Sequence, residues 1–261
     1  DLHYPLRRQR QMCIRDRNDS RPDQGENLFY STATDSLTPA RNASQLWYEE
    51  IVLYTYSPIL SGENDFYKIS ADEYIFKSFE IAHKIDPNAE LYYNDFSMYK
   101  PEKCDAAIRI ANKILERGLR IDGIGLQAHW GLDYPSIDEI ETSILKIHES
   151  GYRVHFTELD IDVLPNLWEI EGADLSDNFK SNDQLNPYKS SLPDSISDLL
   201  SNRYTEIFEL FDKHNDKIDR VTFWGLSDGY SWKNDWPAKG RTNYPLLFDR
   251  ENNPKKAYKD I

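Results

Sequence analysis

The stretch "VHFTELDID", residues 154–162, sets Glu158, Asp160 and Asp162 within five residues, directly after a run that reads as a buried strand. A carboxylate there is either a solvated strand end or a placed reagent. Glu158 follows "VHFT" with no loop between, so its side chain leaves a rigid strand end. Covalent catalysis needs that fixed geometry, because small misplacements cost large rate factors. The competing reading is a carboxylate paired with Lys or Arg at the sheet end. In "IDGIGLQAHW", Gln127 and His129 stand two apart, which on one strand puts them on the same side. A histidine and an amide together can hold a neighbouring carboxylate by hydrogen bonds and keep it ionised; a satisfied rim histidine is the plainer alternative. No second His or Cys lies at ligand spacing, so no metal is assigned. Trp224, Tyr230, Trp232 and Trp236 cluster in "FWGLSDGYSWKNDWP". Aromatic faces stack on sugar rings, so the cluster points to a carbohydrate groove, with core packing as the competing role, most of all for Trp224. Gly-rich phosphate loops, serine elbows and Cys–His signatures are absent from the text.

The elements that must position these residues alternate. Helices are predicted over 70–86, 101–118, 136–151 and 193–216, and strands over 91–95, 123–129, 154–160 and 221–228. Ser70 with Glu73 reads as a capping box, and Gly118 and Gly151 stop their helices. Helix–strand repetition means βα units and a parallel sheet. Every strand ends in polar groups, namely Asn94–Asp95, Gln127–His129, Glu158–Asp160 and Trp224–Asp228. Parallel α/β folds carry their chemistry at the carboxyl ends of strands. A long polar loop is expected at 163–193, residues 1–45 show no period, and 44–60 is apolar enough for one strand or short helix but stands alone.

A chain of 261 residues can bury a large core, and 39% hydrophobic with 13% aromatic content is too much for disorder. The net charge of −14 argues against a nucleic-acid partner, which would need a basic face. No run approaches the roughly 18 apolar residues of a membrane span, so no membrane partner is expected. Cys13 and Cys104 make neither a disulfide framework nor a zinc cluster. The basic start "DLHYPLRRQRQMCIRDR" has no apolar signal core.

Six blocks, "LYYNDF", "GIGLQAHWGLDYPS", "VHFTELDID", "NPYKSSLPDSI", "TFWGLSDGYSW" and "GRTNYPLLFD", resemble glycoside hydrolase family 10, the endo-β-1,4-xylanases, in order and approximate spacing from about Asp65 to the end. The resemblance implies an α/β fold of the (β/α)8 TIM-barrel type, with the four strands as its fifth to eighth, and retaining hydrolysis of β-1,4-xylan or xylo-oligosaccharides without a cofactor. It makes Glu158 the nucleophile, Gln127 and His129 its supports at the sixth strand, Asn94 the strand-five asparagine in the cleft, and Trp224 and Trp232 the walls of the cleavage subsite. It also implies a secreted or periplasmic parent. The chain departs from the pattern upstream. The acid/base glutamate should follow Asn in a "WDVVNE"-like strand before "DFYKISADEYIFKSFEIAHK", and no such pair stands there. "QLWYEEIV" offers Glu50 as a candidate outside the motif. Residues 1–60 are therefore expected to be an unassigned leader, foreign or frame-shifted, and residues 61–261 the C-terminal part of the barrel. Impaired xylan hydrolysis is expected, with a non-catalytic xylan-binding remnant or a β-1,4-glucanase as the alternatives.

Overall fold

Apolar runs that alternate with helical periods assemble here into parallel strands joined by helices. The computed structural model describes residues 73–165, 186–235 and 240–261, with the backbone alone of 29–30 and 50–54. In chain order the elements are β1 (Phe29–Tyr30), β2 (Glu50–Tyr54), α1 (Glu73–Ile85), β3 (Glu90–Asp95), α2 (Pro101–Glu116), β4 (Gly123–Leu126), β5 (His129–Gly131), α3 (Ile137–Glu149), β6 (Arg153–Asp162), α4 (Asp194–Lys213), β7 (Ile218–Phe223), a 3-10 turn (Asp228–Tyr230) and α5 (Lys256–Asp260). Strands β2, β3, β4, β6 and β7 are successive parallel neighbours, β5 pairs in parallel with the far end of β6, and β1 runs antiparallel to β2. Helix α2 connects β3 to β4, α3 leads into β6, and α4 connects β6 to β7. This is the βα repeat of a (β/α)8 barrel.

The helices bury one stripe each. α1 packs Ile75, Phe76, Phe79 and Ala82 inward, a 3.6-residue period. Ser70 lies outside the described residues, and both Glu73 carboxylate oxygens accept from Arg117, at 2.7 and 2.6 Å. A capping box does form at α3: Glu139 N–H donates to Ser136 Oγ at 3.3 Å and Ser136 N–H donates to Glu139 Oε2 at 2.8 Å. Gly118 follows α2 at φ +73, the left-handed turn that glycine adopts most cheaply. Phe156 of β6 stacks on Phe211 of α4 at 4.3 Å, with Trp130 of β5 against the same ring, fixing the helix over the strand that carries the acids. Each such buried aromatic stabilises the fold by about 1.5–3 kcal/mol.

Several expectations are corrected. The strand predicted over 123–129 is two strands, because Ala128 at φ +66 breaks the alternation between Leu126 and His129. Sharing a face at i and i+2 therefore does not apply to Gln127 and His129. β6 runs on to Asp162, and its pairing with β7 shifts register between Phe156 and Leu159. β7 stops at Phe223 rather than 228. The 44–60 segment does not stand alone, since β2 pairs with β3 from Glu50↔Glu90 to Tyr54↔Asn94. Most of the expected leader and the middle of the 163–193 loop lie outside the described residues. Among the described residues no helix is long and apolar enough to cross a membrane.

Candidate active site

Asn94 stands next to last on β3, and its side chain is fully buried. Its Nδ2 donates to Glu158 Oε1 at 3.3 Å, and its Oδ1 accepts from Thr157 Oγ1 at 2.7 Å. Those partners belong to β6, and β4 lies between the two strands. The reach is possible because the intervening residue is Gly125, where an added Cβ would stand 2.6 Å from Asn94 Oδ1 and 3.0 Å from Thr157 Cγ2. Consecutive residues of a regular strand point to opposite faces, yet Thr157 and Glu158 both reach one amide. The register shift between Phe156 and Leu159 permits this. The Thr157 hydroxyl also fixes the amide's orientation, leaving the Asn94 NH2 group aimed at Glu158.

The second oxygen of Glu158 faces His129, whose Nε2 lies 3.3 Å from Oε2. His129 Nδ1 lies 3.0 Å from Asp160 Oδ1. Burial alone would favour the neutral ring, but Asp160 and then Glu158 outweigh it and push the His129 pKa up to about 9. The ring is thus an imidazolium at neutral pH and donates to both carboxylates. Asp160 is fully buried and also accepts from Trp232 Nε1 at 2.8 Å, with Lys233 Nζ 3.6 Å away. Burial raises the Asp160 pKa, but Lys233 and His129 overcome it and hold the carboxyl below its usual range. Trp232 and Trp224 flank the imidazole edge-on, with centroids at 5.0 and 6.4 Å. Further along β6, Asp162 accepts from Asn243 Nδ2 at 2.7 Å and lies near Lys233 and Arg241, at 3.6 and 3.7 Å. On α4, Arg203 Nε donates to the Gly131 carbonyl at 3.3 Å and anchors the end of β5. Glu158, only 4% exposed and with a hydrogen-bond partner on each oxygen, is fixed in one orientation at the centre of the site.

Of the predicted residues, Glu158, Asn94, His129, Trp224 and Trp232 converge. Gln127 is half-buried and gives its backbone N–H to the Asp95 carbonyl at 3.1 Å. Among the described residues no hydrogen bond joins its side chain to Glu158, and the amide on that carboxylate is Asn94. Tyr230 is exposed, and Trp236 lies outside the described residues. Glu50 docks beside β3 but at its amino end, opposite Glu90 and four residues before the Tyr54↔Asn94 pair. At ~3.3 Å per residue that is about 13 Å from the level of Asn94, which counts against Glu50 as proton donor. Sequence reasoning missed Asp160, Thr157 and Lys233 as partners. The two-residue spacing of Glu158 and Asp160 on one strand was a usable signal for the first. Lys233, more than seventy positions downstream of Asp160, left none.

The sequence matches glycosyl hydrolase family 10 over residues 59–261. It is 42% identical over 199 residues to endo-1,4-beta-xylanase A of Xylanibacter ruminicola, covering 76% of this chain and 54% of that protein. Against the endo-1,4-beta-xylanase of Geobacillus stearothermophilus the identity is 36% over 194 residues, covering 73% and 53%. Among solved structures, a family-10 endoxylanase from a sugarcane soil metagenome superposes with a TM-score of 0.70 at 43% identity, covering 76% of this chain and 57% of that one. A mutant structure in complex with xylotriose gives 0.65 at 33% identity, covering 79% and 58%. The chain spans about half the length of the curated relatives it matches. With 203 of its residues inside the family match and relatives well above 30% identity, the chain belongs to glycosyl hydrolase family 10.

Proposed function

We propose that this chain carries the nucleophile side of a retaining endo-β-1,4-xylanase. The observation that carries the reading is Glu158, buried and held between Asn94 Nδ2 and His129 Nε2 in a member of a family of xylan hydrolases. The Glu158 carboxylate attacks the anomeric carbon and forms a glycosyl ester while the glycosidic oxygen leaves with the bonding pair. Water then displaces Glu158. His129 and Asn94 orient the carboxylate, Trp224 and Trp232 wall the sugar, and Gln127 contacts substrate. Xylan and xylo-oligosaccharides are the substrates, the atoms exchanged come from sugar, carboxyls and water without a cofactor, and the parent protein works outside the cytoplasm, secreted or periplasmic.

Retention needs a second carboxyl group about 5–5.5 Å from the first to protonate the leaving oxygen and then deprotonate water. Among the described residues the neighbouring carboxylates are engaged: Asp160 by His129 and Trp232, Asp95 by Lys103. The chain is accordingly read as residues 61–261 of family-10 type behind a leader that does not bring the acid, a division supported by the match beginning at residue 59. Lacking the acid costs about 10²–10⁴ in rate on natural xylan. A 2,4-dinitrophenyl β-xylobioside needs no such help, because its phenolate leaves unprotonated. The chain should release dinitrophenolate in a rapid burst while turning xylan over poorly, and Glu158→Gln should abolish the burst. No burst from the folded chain overturns the reading, and the same assay on 2,4-dinitrophenyl β-cellobioside then separates a β-1,4-glucanase, which gives a burst, from a non-catalytic xylan-binding remnant, which gives none.

A further inference from the structure

Three carboxylates stand at every second position of β6, and none of the three side chains is more than 12% exposed. Like charges gathered out of water raise one another's pKa until some are neutralised. Here three cations face them. His129 from β5 lies between Glu158 and Asp160, Arg241 lies 3.7 Å from Asp162, and Lys233 stands 3.6 Å from both Asp160 and Asp162. Among the described residues the other titratable groups facing the cluster are phenols. Tyr204 of α4 donates a hydrogen bond to the Pro245 carbonyl at 2.6 Å, and Tyr134 lies towards Arg241. Among the described residues, three carboxylates thus face three cations, and Lys233 is the one shared between two of the acids.

We propose that Lys233 is a positioning residue for Glu158, acting as the counter-ion that balances Asp160 and so keeps the His129 bridge and the nucleophile in their working charge states. The inference rests on the function proposed above. Lys233 contacts neither Glu158 nor His129 among the described interactions. Its side chain is 6% exposed, and both carboxylates lie beyond hydrogen-bond range, so its action is that of a charge held in place. Of the groups that counter burial at Asp160 it ranks first, ahead of His129. Without it Asp160 keeps only one cation, draws harder on the His129 proton, and adds an unbalanced negative charge beside Glu158. A negative charge on Glu158 then costs more beside it. Asp162 works in the opposite sense by sharing Lys233.

The test uses the whole 261-residue chain with Lys233→Met, Lys233→Arg and Asp162→Asn. The pH dependence of the dinitrophenolate burst is read on 2,4-dinitrophenyl β-xylobioside, and His129 is titrated by imidazole NMR. In Lys233→Met the acid limb should move up by about one pH unit, so the burst slows about tenfold below it. The His129 midpoint should rise as well. Lys233→Arg should restore both, and Asp162→Asn should move the acid limb down. A folded Lys233→Met with limb and midpoint unmoved, or a charge-keeping Lys233→Arg that restores neither, overturns the proposal. If Lys233→Met does not fold, Asp162→Asn decides, and an unmoved limb overturns it. If the unmodified chain shows no burst, the functional reading fails. The His129 midpoint then still judges the charge claim, upheld by a rise in Lys233→Met and overturned by none.

Discussion

Raising the pH should unmake the His129 bridge, and the structure sets how much stability goes with it. The ring is 18% exposed and both its nitrogens face carboxylates, which only the imidazolium can satisfy. Its folded pKa is raised from the usual 6.5 to about 9. A raised histidine pKa means that the bridge's stabilisation is complete below about 6.5 and is lost as pH climbs through about 9. At about 1.4 kcal/mol per tenfold, that span amounts to about 3 kcal/mol of folding stability. The Asp228 carboxyl, pushed up to about 6 chiefly by burial, finishes titrating below this window. Once neutral, the ring keeps one proton, on Nδ1 and donated to the closer Asp160, and the lone pair on Nε2 then faces Glu158. Urea unfolding of the chain from pH 6 to 10 should therefore show stability falling by about 3 kcal/mol. His129→Gln, which cannot titrate, should flatten that decline. A flat profile in the unmodified chain, or an unchanged slope in His129→Gln, would refute the assignment of an imidazolium between two carboxylates.

Gly125→Ala should push a methyl group into the Asn94 amide, lowering stability by about 1–3 kcal/mol and slowing the dinitrophenolate burst tenfold or more. Thermal unfolding and the burst rate check this, and unchanged values in both would show that Asn94 is not confined by that gap. Lys103→Met should cost about 3–5 kcal/mol by leaving Asp95 buried without its ion-pair partner at 2.8 Å. Chemical denaturation should show the double change with Asp95→Asn costing less than Lys103→Met alone.

The βα repeat was legible because it is written locally, in apolar periods and in stops such as Gly118 and Gly151. Glu158 and His129 were legible as polar groups at strand ends. What failed depends on non-local geometry. Ala128 carries no mark of its left-handed backbone, so one predicted strand became two, and Gln127, read as a support of Glu158, has no side-chain hydrogen bond to it among the described residues. The amide that does hold Glu158 comes from Asn94, 64 positions away and reached across a glycine on the strand between. The two-residue period of the acids on β6 was visible, but the identity of their counter-ions was not, because Lys233 and Arg241 arrive from loops beyond α4 and β7. The capping box read at Ser70 lies outside the described residues, whereas the one formed by Ser136 and Glu139 passed unread.

The covalent ester itself tests the central claim most directly. On the proposed reading no base activates water opposite Glu158, so the xylobiosyl group transferred from 2,4-dinitrophenyl β-xylobioside should accumulate on the protein. Acid quenching, digestion and peptide mass spectrometry should then find it on the peptide containing "VHFTELDID", with the added mass on Glu158. The adduct on any other carboxylate, or a folded chain that binds the xylobioside yet never carries it, would contradict the assignment of Glu158 as nucleophile.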